Sequence, residues 1–249
     1  MSTKKSVVFL GSKPVGYECL RHLIAQKDAL GLEIKGVLTQ LRKEFGAERD
    51  VAALALAAGI PIVESPEEIP DCDVLYSVQY HKILKKEAIA KAGLAAVNLH
   101  MAPLPEYRGS NQFSYALIEG KEEFGVTIHL IDERIDHGDI LFQNRFPIPH
   151  SCWIGELYEI TEAAAVALFK ESLAHVVSGN FTPVAQKVFE AEKGAALHFR
   201  DEINTLKQID LNWDAGKIER HIRATSMPGF EPPYVLVGGE KVYFSRAIL

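Results

Sequence analysis

What this sequence has little of narrows its function first. Only three cysteines, Cys19, Cys72 and Cys152, are spread over 249 residues. An odd, scattered set builds no disulfide framework and no Cys-x-x-Cys zinc pair. It fits a reducing compartment, so a cytoplasmic protein is expected. No run of 18 apolar residues occurs, and no membrane span is expected. The stretch "MSTKKSVVFLG" has two lysines but a short apolar run, and it reads as a first strand, not a signal peptide. Positive charge is not in excess either. A formal net charge of -6 argues against a large nucleic-acid footprint.

The usual nucleotide fingerprints are also missing. "GSKPVG" (11–16) follows the first apolar run, but Tyr17 and Glu18 come after its second glycine. It is neither G-x-G-x-x-G nor a P-loop, which excludes a dinucleotide fingerprint. The amides of Gly11 and Ser12, with Lys13, can still cradle a phosphate at a helix N-terminus. The plainer alternative is an ordinary strand-to-helix turn.

What is present is alternation. Strands are expected at 5–11, 33–39, 61–64, 73–78, 95–100, 125–132 and 140–148. Helices are expected at 15–26, at 48–59 closed by Gly59, at 85–93 ended by Gly93, from a Ser110 cap to Ile118, and over 154–177. This order implies an α/β, Rossmann-like fold: a mostly parallel twisted sheet with helices on both faces. Ligands bind such sheets beyond the carboxyl ends of the strands. After a boundary near residue 200, a helix at 214–226 (Ile218 and Ile222 inward) and a hairpin turning at Gly238-Gly239 form a small β-rich C-terminal appendage. Residues 1–200 and 201–249 are the two expected units. The appendage is too small to fold comfortably alone.

Three places can carry chemistry. Asn98 and His100 share strand parity and point to one face at a strand end. Backbone partners at a strand end would explain them equally well. Asp132, Glu133, Asp136, His137 and Asp139 crowd one loop. A solvated turn explains them, and so does a metal site. The absence of regular ligand spacing speaks against metal. His129 lies within a strand and reads as structural. Phe230, Tyr234, Tyr243 and Phe244 read as appendage core, with a stacking surface for a base as the sharper alternative.

The segments "VNLHMAPLPEYRGSN" and "GVTIHLIDERIDHGDILFQ" together resemble the formyltransferases that use N10-formyltetrahydrofolate. The resemblance covers roughly residues 5–195. By position, it implies a catalytic trio of Asn98, His100 and Asp136. It implies a pterin slot near Gln79, Tyr80, Ile83, Leu84 and Asp132, with N10-formyltetrahydrofolate as co-substrate and no metal. The helix, Pro-rich segment and hairpin of the tail look like those of the sugar-nucleotide N-formyltransferases. These formylate an amino group on a nucleotide-linked deoxy-sugar destined for surface polysaccharide such as lipopolysaccharide. The tail is shorter than the barrel of methionyl-tRNA formyltransferase. The N-terminal loop has Gly-Ser-Lys where the glycinamide ribonucleotide enzyme has Gly-Ser-Asn. On this reading Gly11, Ser12, Lys13, Arg108, Phe230 and Tyr234 contact the nucleotide-sugar, with Lys13 and Arg108 at its pyrophosphate. No nucleic-acid or membrane partner is expected. The hairpin edge offers a surface for a homodimer. The alternatives are a methionyl-tRNA or small-amine formyltransferase and a non-catalytic nucleotide-sugar binding protein.

Overall fold

A computed structural model describes residues 4–40 and 49–245. The start of the helix expected from Glu48 and the end of the expected hairpin lie outside the described residues. The elements run β1 (Lys5–Gly11), α1 (Pro14–Gln26), β2 (Leu32–Leu38), α2 (Val51–Ala57), β3 (Ile62–Val63), β4 (Cys72–Val78), α3 (Lys86–Ile89), β5 (Ala92–His100), β6 (Arg108–Gly109), α4 (Gln112–Ile118), β7 (Glu123–Leu130), β8 (Ile140–Pro147), α5 (Ile154–Ser178), α6 (Lys187–Lys193), β9 (Leu197–His198), α7 (Ile203–Leu206), α8 (Ala215–Thr225), β10 (Tyr234–Val237) and β11 (Glu240–Tyr243). None of these helices is long and apolar enough to cross a membrane.

Seven strands form one sheet in the order β3-β2-β1-β4-β5-β7-β8. The first five are parallel, and β7 and β8 are antiparallel. This is the Rossmann-like, mostly parallel arrangement expected. Strand parity sorts the side chains between two cores. Val7, Phe9, Tyr76, Val97, Leu99, Val126 and Ile128 pack with Leu20 of α1 and Phe169 of α5. Val8, Leu10, Leu75 and Ala96 pack on the other face with Leu84 and Ala88. Burying one such side chain contributes about 1.5–3 kcal/mol. The Tyr76 and Phe169 rings meet at 4.8 Å, so Phe169→Ala would cost about 3–5 kcal/mol.

Helix ends follow local chemistry. Asp50 caps α2 by accepting from the N–H groups of Ala52 and Ala53, and Gly59 follows it at φ 69. The 25-residue α5 closes at Gly179, φ 76. Two expectations fail. The helix expected over 85–93 is only Lys86–Ile89, because Ala92 already pairs with Cys72 and extends β5 backwards. Ser110 does not cap α4. Asn111, left-handed at φ 61, occupies the cap position, and its side-chain amide donates to the Phe199 carbonyl at 2.7 Å.

The tail is a helix and a hairpin as expected, with Gly238 and Gly239 at positive φ (60 and 92) in the turn. The inward face of α8 differs. His221, Ala224 and Thr225 are buried, while Ile218 and Ile222 are only half-buried. Ala224 joins the core of Ala102, Tyr107, Ala116 and Phe124, so the tail helix packs onto the sheet unit.

Candidate active site

The opposite parity of β5 builds the site. Val97 and Leu99 enter the α1/α5 core, so Asn98 and His100 face the other side of the sheet. Their neighbours there are polar too. Ser77 on β4 and His129 on β7 flank Asn98, and Thr127 on β7 sits beside His100. The loop between β7 and β8 folds back over this face and lowers Asp136 into it.

Asn98 is held on both ends of its amide. Its Oδ1 accepts from the Ser77 hydroxyl at 2.8 Å. Its Nδ2 lies 3.2 Å from His129 Nε2 and 3.4 Å from Asp136 Oδ1. A carboxylate only accepts, which fixes the amide with its N–H₂ toward Asp136.

His100 is 3% exposed, and its Nε2 lies 2.7 Å from the Tyr107 carbonyl. A carbonyl cannot donate, so Nε2 carries a proton. In the neutral ring the lone pair is therefore on Nδ1, which lies 3.5 Å from Asp136 Oδ2. Burial pushes the imidazole below its usual value. His129 and Lys13 act in the same direction, and Asp136 and the Tyr107 carbonyl oppose them. The ring is thereby biased to neutral, with a basic nitrogen pointing at a carboxylate.

Asp136 stands at φ 48, a left-handed position uncommon for a residue with a side chain. Its Oδ2 accepts the Gly109 N–H at 2.9 Å, and its Oδ1 lies 3.4 Å from His129 Nε2. Burial alone would raise this carboxyl. His100, His129 and the Gly109 N–H outweigh it and hold Asp136 well below the usual carboxylate range.

Two glycines make the approach fit. A Cβ on Gly138 would stand 1.9 Å from the Leu130 carbonyl oxygen. Gly109 has φ 83, and a Cβ there would stand 2.3 Å from the His198 oxygen. The "YRG" run thus has one task per residue. The Tyr107 carbonyl holds His100, the Gly109 N–H holds Asp136, and Arg108 reaches away. Arg108 is a correction. It was expected at a substrate pyrophosphate, but its guanidinium is buried and donates to Gln186 Oε1 at 2.8 and 2.9 Å and to Glu190 at 2.7 Å.

Two residues of the site were not read from the sequence. His129, read as structural, touches both Asn98 and Asp136. Its strand position opposite Asn98 was a usable signal. Gln186 lies beyond any motif, and only the folded chain brings it to the loop.

The folate-side residues separate. Gln79, at φ 53, accepts from Lys13 Nζ at 3.0 Å. Leu84 is buried, Tyr80 packs beside it, and Ile83 is 64% exposed. Asp132 lines a cleft of about 370 Å³ with Lys86, Ile89, Glu133 and Arg134. Its lining carries one apolar side chain, two cations and two carboxylates, and Arg134 pairs with Asp132 at 3.3 Å. Among the described residues, no group of three or more His, Cys, Asp or Glu is arranged to hold a metal ion.

On the acceptor side, Gly11, Ser12 and Lys13 sit at the carboxyl end of β1 beside Gln79, and the Ser12 hydroxyl is buried with no partner among the described residues. Phe230 is 55% exposed. Tyr234 is a second correction. It is 8% exposed, lies under Lys241 Nζ (4.2 Å from its ring centroid) and meets the Tyr243 ring, so it belongs to the appendage's own core and not to an open platform.

Residues 67–173 match the family model described as formyl transferase. Methionyl-tRNA formyltransferase of Bacillus pumilus is 30% identical over 72% of this chain, and the chain spans 60% of that protein's length. The enzyme of the same description from Geobacillus thermodenitrificans is 29% identical over 88% of this chain and 70% of its own. Among solved structures, a sugar N-formyltransferase from Shewanella covers 98% of both chains at a TM-score of 0.79 and 20% identity. An N-formyltransferase from Helicobacter canadensis, in complex with folinic acid and dTDP-3-aminofucose, covers 96% of this chain and 86% of its own at 0.78 and 20%. Residues 67–173 thus match the formyl transferase family model, and the chain as a whole takes the fold seen in these sugar N-formyltransferase structures.

Proposed function

We propose that this protein transfers a formyl group from N10-formyltetrahydrofolate to the amino group of a nucleotide-linked amino-deoxy-sugar. The observation that carries the reading is the convergence of Asn98, His100 and Asp136, with the proton of His100 fixed on Nε2 and its Nδ1 left as a base. The co-substrate supplies an activated formyl carbon. The amine nitrogen bonds to that carbon, the carbon–N10 bond breaks, N10 gains a proton, and the amine loses one. Asn98 Nδ2 donates to the formyl oxygen as negative charge develops on it. His100 Nδ1 takes the amine's proton, and ionised Asp136 stabilises the imidazolium that results. His129 orients the Asn98 amide. These steps need proton handling alone, so no metal is required.

The cleft of Lys86, Ile89, Asp132, Glu133 and Arg134 is our choice for the folate, with the cations toward its glutamate carboxylates. Ser12 and Lys13, at the start of α1, suit the acceptor's pyrophosphate. Phe230 is our candidate for contact with the base. Similarity in fold to sugar N-formyltransferases over nearly the whole chain, tail included, supports a nucleotide-sugar acceptor. The identity of about 30% to methionyl-tRNA formyltransferases favours the rival acceptor. Formyl transfer to a panel of dTDP-, UDP- and GDP-amino-sugars, beside methionyl-tRNA, tests this. The reading expects tetrahydrofolate release with at least one amino-sugar. Release with the tRNA alone would overturn the acceptor, and release with none would overturn the reaction.

A further inference from the structure

Gln186 is outside every motif and 2% exposed, yet all of its side-chain hydrogen-bonding capacity is used. Its Nε2 donates to the backbone carbonyl of Asp136 at 2.9 Å and to that of Gly138 at 2.8 Å. Its Oε1 accepts twice from Arg108, which also holds Glu190. One amide thus joins the loop that carries Asp136 to Arg108, whose neighbours Tyr107 and Gly109 hold His100 and Asp136. Asp136 and Gly138 bracket the sharpest part of that loop. Asp136 is left-handed, and Gly138 passes against Leu130. A loop in that conformation needs its carbonyls tied down to keep one geometry.

We infer that Gln186 is a positioning residue: it clamps the Asp136 loop and so sets the carboxylate against His100 and Asn98. The role rests on the proposed reaction for its kinetic consequence, but not for its structural one. Gln186 contacts no group that would meet a substrate. A displacement of about 1 Å in a catalytic group costs on the order of 10²-fold in rate.

The substitution Gln186→Glu separates clamping from mere company for Arg108. Glutamate keeps the acceptor that Arg108 needs and loses both donors to the loop. Gln186→Met removes the donors without adding charge. Both are measured in the full chain for formyl transfer, thermal unfolding and the NMR titration of the His100 ring. The groups around that ring are Asp136, His129, Lys13 and the Tyr107 carbonyl. Of these, the Asp136 carboxylate is the one the clamp holds in place. The inference expects kcat to fall about 10–100-fold in both variants, with KM changed by less than about threefold. It expects the titration midpoint of His100 to move down as Asp136 withdraws. If Gln186→Glu keeps wild-type kcat and the same midpoint, Gln186 only satisfies Arg108 and the inference fails. If activity falls only in step with melting temperature while the midpoint stays put in both variants, the inference fails as well. If wild type transfers no formyl group to any acceptor while the midpoint still shifts, the clamp stands and the proposed reaction is what fails.

Discussion

The candidate catalytic face and the C-terminal hairpin are built in opposite ways. Asn98, His100 and Asp136 each meet partners from at least two other segments of the chain, His100 is buried and the Asp136 side chain is 13% exposed. In the hairpin, Leu236, Val237, Val242 and Tyr243 are 49–59% exposed, and Tyr234 bonds through its backbone to Lys207 and Ile209 of the same C-terminal segment. Cross-tied, buried polar groups cannot be altered singly without leaving a partner unsatisfied. Exposed hairpin residues can. The contrast teaches where each part of the function resides. On the proposed reaction, the face addresses what does not vary with the acceptor, the donor's formyl carbonyl and the attacking amine. The periphery, with Lys13 and Phe230, is free to differ with the acceptor.

The largest effect that would break this contrast is at His100. His100→Ala should lower kcat by roughly 10²–10⁴-fold, the usual worth of a positioned base. A loss smaller than tenfold in steady-state turnover would remove it from the mechanism. Asn98→Ala comes next, with about 2.7–4 kcal/mol or roughly 10²–10³ in kcat, because one donor to the developing oxyanion is lost. Melting temperature should fall only by the few degrees that an unsatisfied Ser77 hydroxyl costs, so the loss of turnover far exceeds any loss of folding.

The pH profile sharpens the same contrast. His100 acts as a base only when neutral, so the acid limb of kcat/KM reports its titration. Burial lowers that titration, so the limb should lie below about 6.5. Asp136 favours the charged ring, so Asp136→Asn should move the limb lower still while reducing kcat. A limb that rises in this variant would contradict the pairing.

Smaller effects belong to the periphery. Phe230→Ala should raise the KM for nucleotide-sugar by about tenfold, within the range of about 1–3 kcal/mol per stacked ring, and leave folate KM and melting unchanged. Tyr234→Ala should do the reverse, lowering the melting temperature with little change in either KM, since its ring is packed under Lys241. The smallest expected effect is none at all. Prolonged chelation should leave activity intact, and recovery of lost activity on adding zinc or magnesium would overturn the proton-handling mechanism.

Part of the candidate face was legible in the sequence for a local reason, while Asp136 joined it only through the family resemblance. Strand parity puts Asn98 and His100 on one side, and the glycines of "YRG" and "DHG" mark where backbone passes too close for a Cβ. The rest depends on contacts far apart in sequence. Arg108 looked like a cation for a phosphate because nothing local shows that Gln186 and Glu190, some eighty positions on, bury it. His129 looked structural because its partner Asp136 reaches it only when the loop folds back over the sheet. Tyr234 read both as appendage core and as a platform, and what decides for the core, the lysine over its ring, lies across the hairpin turn. The segment from 181 to 213, which carries α6, β9 and α7, has too little periodicity to be read as elements.

The most direct test follows one carbon. The full chain is given N10-formyltetrahydrofolate labelled in the formyl carbon together with a dTDP-linked amino-sugar, and the products of wild type and His100→Ala are compared. The account predicts label in an amide on the sugar nitrogen, with an equal amount of tetrahydrofolate, for wild type only. Label that stays on the folate in wild type, or that reaches the sugar equally fast in His100→Ala, would contradict it.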